Sequence, residues 1–148
     1  MFLSWLSVTG AYTWAARQAD CADRGACESH GVAEVVRIEL ESGEVVCERC
    51  VMATNPVLRF RGLMGRSELP MGEGILLRPC GSVHTFFMRF PIDVVFCDGD
   101  LRVLTVAPEV PRWRMRSQRG AKIVIELAAG EASRRGLEPR SQLCVHRA

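Results

Sequence analysis

Residues 78–98 read RPCGSVHTFFMRFPIDVVFCD. One carboxylate, Asp93, lies there between Ile92 and the run Val94, Val95, Phe96. A strand-like apolar run of this kind takes its side chains out of water. A carboxylate inside it is costly unless it is hydrogen-bonded or paired. The fold must therefore bring a partner to Asp93. His84, Arg89 or an arginine of the 59–66 segment is the expected one. In a strand, His84 and Met88 share one face. Asp93 would meet them if Phe90-Pro91 lets the two strands pair or cross.

The rest of the chain is short apolar runs separated by turn signals. Residues 33–40 and 44–53 flank Ser42-Gly43 and read as a hairpin. Thr54-Asn55-Pro56 reads as a helix start. Val57, Phe60, Leu63 and Met64 follow at helical spacing, predicting an inward face and an end near Gly65. Strands are predicted over 75–77, 83–88, 92–97, 101–107, 122–127 and 142–146, with a turn at Asp98-Gly99-Asp100. A short helix is predicted over 129–135. These elements predict a β-rich α+β fold. It would be one compact domain, a small half-closed, barrel-like sheet with two short helices.

A chain of 148 residues has room for one such core. Residues 32–148 are assigned to it, and residues 1–31 to an N-terminal extension expected to be flexible. Residues 1–15 are apolar, but no Lys or Arg precedes Arg17, so they make a poor signal segment. A cytoplasmic protein is expected, with export the alternative if residues 1–15 act as a signal. No transmembrane helix is expected. Seven cysteines, an odd number, read as free thiols in a reducing compartment.

Three sets of residues could carry chemistry. His84 and Asp93 are the catalytic candidates, as an acid/base pair; with Met88, Arg89 and Arg66 they could instead line a ligand pocket. Cys47, Cys50, Cys80 and His84 have the C-x2-C and C-x3-H spacings of a zinc set. Strand geometry spreads such residues apart, and no turn former sits beside Cys47 and Cys50. No metal and no cofactor are therefore expected. Arg112, Trp113, Arg114 and Arg116 form a basic edge, read as an edge strand with one cationic and one apolar face. Between residues 102 and 122, six cations face Glu109 alone. The net charge of +2 is too small to imply nucleic acid, and that partner is disfavoured.

The motifs RFRGLMGR at 59–66, GEGILLRPCGSVHTFFMRFPIDVVFCD at 72–98 and KIVIELAAGEASRRGL at 122–137 occur in this order. In that order they resemble the DUF192 family (domain of unknown function 192) over about residues 33–146. The resemblance implies a compact β-rich domain and, since the family has no assigned activity, no catalytic residues. One departure is the late Gly-Asp turn of the family pattern, which is Pro139-Arg140-Ser141 here. With no nucleophile elbow and no cofactor loop, the chain reads as a non-enzymatic module. Such a module would bind a small ligand or a protein, or act as an accessory. The alternative is a hydrolase- or isomerase-like enzyme using His84, oriented by Asp93, as general acid or base.

Overall fold

The computed structural model describes residues 34–147; the expectations for residues 1–31 lie outside the described residues. Strands β5 (Ile92–Cys97) and β8 (Ile123–Ala128) are buried at every position. Two adjacent strands of that kind need cover on both faces of their sheet. The sheet is built from β1 (Glu34–Leu40), β2 (Val45–Ala53), β3 (Glu73–Leu77), β5, β6 (Val103–Val110), β8 and β9 (Leu143–Arg147). Its order is β6-β5-β8-β3-β2-β1-β9. All neighbours are antiparallel except β2 and β3, whose parallel crossover carries helix α1 (Pro56–Arg61). Strands β4 (Ser82–His84) and β7 (Met115–Ser117) form a separate two-stranded ribbon. Helix α2 (Glu131–Arg134) follows β8.

The sheet curls until its ends meet. Val103 N–H donates to the Ser141 carbonyl at 2.9 Å, and Arg140 N–H donates to the Val103 carbonyl at 2.8 Å. Leu143 N–H donates to the Leu101 carbonyl at 3.1 Å. The start of edge strand β6 thus touches the start of edge strand β9, giving the half-closed barrel that the sequence predicts. Inside it, Ile38, Leu76, Val95, Ile125 and Leu127 pack with Ala132 and Leu137, from α2 and the loop after it. On the outer face, Ile75, Ile92, Val94 and Phe96 are covered by Leu63, Leu69, Val83 and Met88. Those four covering residues come from the α1 loop and the 78–91 segment.

Local chemistry explains the element boundaries. Asn55 caps α1, its Oδ1 accepting from Val57 N–H at 2.8 Å, with Pro56 in the first turn. The helix stops at Gly62, at φ 47°, rather than at Gly65. Six residues are too few to build an apolar stripe, so Val57 and Phe60 face outward instead of packing inward. The turn Asp98-Gly99-Asp100 is closed by Asp98 Oδ1, which accepts from the amides of Asp100 and Arg102, both at 2.9 Å. The 112–116 segment does not form the two-faced strand expected of it. Only residues 115–117 pair, with β4, and both Trp113 and Met115 are exposed.

Asp93 is fully buried, as its position in the apolar run requires. Its partners are neither a cation nor His84. Oδ1 accepts from the Glu109 amide and Oδ2 from the Ala132 amide, both at 2.8 Å. One amide belongs to β6, at a residue held at φ 47°; the other belongs to the first turn of α2. Asp93→Ala would strand both donors in the interior, at a cost of about 3 kcal/mol or more. Asp93→Asn replaces one acceptor with an –NH2 group facing an N–H, so it should still lose about 1–3 kcal/mol. Glu41→Ala, in the exposed β1–β2 turn, should stay within about 0.5 kcal/mol of the parent. Urea unfolding of the three variants checks this order.

Candidate functional site

The central strands carry two carboxylates on opposite faces. In β8, Ile123, Ile125 and Leu127 point into the barrel, while Val124 and Ala128 point to the outer layer. Glu126, between those last two in the alternation, therefore points outward as well. Asp93 pairs in register with Leu127 and shares the inner face. Glu126 pairs with Val94 on one side and Ile75 on the other. Val51 continues the same row, and Ile75 and Val51 floor a cavity of about 290 Å³ under α1.

That cavity is walled by Leu58 and Met64, with Arg61 and Arg66 as its charged members. Gly62 also lines it, and a Cβ added at Gly62 would lie 3.8 Å from Glu126 Oε2. The carboxyl group thus reaches the end of α1 beside the cavity. Glu126 is only 4% exposed, and its Oε2 has no hydrogen-bond partner among the described residues. Burial pushes its carboxyl up to about 7. The other two buried carboxylates are differently placed. Asp93 is held by two amides, and Glu131 Oε1 accepts from Arg134 and Arg135 at 2.6 and 2.7 Å. Burial pushes the Glu131 carboxyl up, but its arginine hydrogen bonds outweigh this and hold it below its usual value.

The expected pocket residues do not come together. Asp93 is inside the barrel, and Met88 is buried in the outer core. Arg89 is exposed, and Arg66 lines the cavity, 3.6 Å from Glu73. His84 stacks on Phe86, with ring centres 5.2 Å apart, and meets the Phe60 edge at 6.2 Å. Its Nδ1 is buried with no partner. Asp93 does not orient it, because the two lie on opposite sides of the sheet.

The zinc set does not converge either. A β-bulge in β2 turns Glu48 and Arg49 outward and brings Cys47 and Cys50 to the same inner side. The bulge supplies the local turn that the sequence offers no sign of. Cys47 Sγ donates to the Gly72 carbonyl at 3.4 Å; the proximity of the two thiols holds Cys47 below its usual value and, with burial, pushes Cys50 well above it. Cys80, however, packs against the outer core, and His84 stands in the ribbon beyond it. Among the described residues, no group of three His, Cys, Asp or Glu side chains could hold a metal ion. Glu126 was missed on the sequence although its signal is the one used for Asp93: one carboxylate in an apolar strand, IVIELA.

The chain belongs to DUF192, described as "Uncharacterized ACR, COG1430", whose family model matches residues 35–145. Two solved structures share the fold. One is described as a "putative transcription regulator" from Sinorhizobium meliloti 1021, at 24% identity and a TM-score of 0.68 over 80% of this chain and 98% of that one. The other is a protein of unknown function from Novosphingobium aromaticivorans DSM 12444, at 24% identity and a TM-score of 0.66 over 84% and 95%. At that identity the likeness shows the fold alone. No curated protein matches the chain. No helix among the described residues is long and apolar enough to cross a membrane.

Glu126 makes stability depend on pH in a defined direction. Its folded value, about 7, exceeds the ordinary 4.5, so the folded state binds the proton more tightly. Below pH 4.5 both states are protonated; stability falls as pH rises toward 7, then levels. The whole fall is about 3 kcal/mol. Glu126→Gln removes it. The variant should match the parent near pH 4 and exceed it at pH 8, as read from urea midpoints at the two pH values.

Proposed function

We propose that the domain is a binding module rather than an enzyme, and that its ligand site is the cavity under α1. The observation that carries this reading is Glu126. A buried carboxylic acid with an unpartnered oxygen costs stability. Asp93 has both oxygens held by amides, and Glu131, although its Oε2 is also unpartnered, has its charge met by Arg134 and Arg135; Glu126 has no cation bonded to it among the described residues. Glu126 lies behind Gly62 of the cavity wall, and a ligand group that reaches past Gly62 would meet its free oxygen. Leu58, Met64, Val51 and Ile75 favour an apolar body, while Arg61 and Arg66 favour an anionic group on it. The fitting ligand is a small anionic amphiphile carrying a hydrogen-bonding group. The enzyme reading with His84 as acid or base loses its orienting partner, since Asp93 is committed to two amides on the other face.

The probe 8-anilinonaphthalene-1-sulfonate has this chemistry, and its fluorescence reports entry. It should bind the folded parent saturably at one equivalent. Leu58→Trp, which fills the cavity, and Arg66→Glu, which reverses a wall charge, should each weaken it at least tenfold. Saturable binding unchanged by both substitutions would place the probe elsewhere and remove the support for this site.

A further inference from the structure

Charge is segregated in this protein. Segments 54–69 and 78–91 cover the outer face, and 111–122 joins them through the β4–β7 ribbon. They carry three, two and five cations against one carboxylate, Glu68, in a chain with 19 basic and 17 acidic residues. The near-neutral total conceals a layer of ten positive charges.

The same layer exposes aromatic rings. Phe60, His84, Phe86, Trp113 and Phe87 form a continuous row, with successive centres 6.2, 5.2, 5.9 and 4.9 Å apart. Phe60 is 73% exposed, Phe87 67% and Trp113 53%. The row holds four of the six Phe and Trp residues among the described positions. Large apolar side chains belong in cores, and a contiguous exposed set marks an interaction surface.

The row is also built rigidly. Phe87 and Trp113 sit at φ 63° and 61°, a conformation bulky residues rarely take. Buried Thr85 holds both loops there. Its Oγ1 donates to the Pro111 carbonyl at 2.7 Å and accepts from Arg114 N–H at 2.9 Å. Its carbonyl accepts from Trp113 N–H at 3.1 Å. Strain of this kind persists only where the surroundings enforce it, and it concentrates at functional positions.

We infer that this face binds single-stranded nucleic acid. Cations alone would fit any polyanion. Exposed rings joined by arginines fit a strand whose bases stack and whose phosphates meet guanidinium groups. Base-paired duplex hides its base faces. A lipid-inserting surface separates an apolar tip from a polar face; here Arg112, Arg114 and Arg116 alternate with Trp113 and Met115. In the β4–β7 register His84 pairs with Met115, opposite the side that carries buried Val83. The ring row therefore stands outward, free to take bases.

The test is fluorescence anisotropy of the full chain with labelled dT20, rU20 and a 20-base-pair duplex, plus sedimentation with vesicles containing phosphatidylserine. Parent protein should bind dT20 or rU20 with a steep salt dependence and at least tenfold tighter than duplex; comparing dT20 with rU20 tells DNA from RNA. Trp113→Ala and Phe87→Ala, both at exposed side chains, should each weaken binding about 5- to 100-fold with the salt slope unchanged. Arg112→Ser with Arg116→Ser should lower that slope by about two counterions. The inference fails if neither single strand binds at 50 mM salt, or if duplex binds equally well. It fails also if only vesicles bind, or if the ring variants bind as the parent does.

Discussion

Two hydrogen bonds to one buried carboxylate tie the far end of β6 and helix α2 to the central strand β5. Asp93 accepts from Glu109 N–H and Ala132 N–H, joining β5 to β6 on one side and to α2 on the other. Fixing Ala132 places α2 against the barrel interior, where Ala132 and Leu137 complete the inner core. Leu137 N–H donates to the Ala132 carbonyl, and the chain then turns through 138–141. That turn delivers the Ser141 carbonyl and the Arg140 amide to Val103. The join between the two ends of the sheet thus descends from the position of α2. A charge that is expensive to bury has become the group that sets the geometry.

Strand positions were legible because each apolar run is bounded by residues with a mechanism. Gly43, at φ 91°, turns one hairpin, and Asp98 binds the amides that turn another. The burial of Asp93 was legible for the same kind of reason. Its partners were not, since a backbone amide leaves no residue-type signature and these two lie 16 and 39 positions away. The outward face of α1 was misread because helical spacing was assumed to continue past Gly62. The bulge at Glu48-Arg49, which brings Cys47 and Cys50 together, has no Gly or Pro to announce it.

The candidate site was harder to read than the fold. Asp93 and Glu126 have the same sequence signature, but strand alternation puts one inside the barrel and the other under the covering layer. Sequence distinguishes them only once the register of β5 on β8 is known. The basic stretch is likewise masked by averaging. A net charge of +2 averages over a surface on which cations and carboxylates occupy different places.

Among the described residues, buried atoms without a hydrogen-bond partner occur on both sides of the sheet. In α2, Glu131 Oε2 has none, although its Oε1 is held by two arginines. On the outer face Glu126 Oε2 and His84 Nδ1 have none, and large rings meet solvent. Helix α1 is common to both outer features: Arg61 lines the cavity and Phe60 begins the ring row. The helix buries no residue, so little packing energy resists its displacement. The cavity and the ring row thus share one helix of six residues.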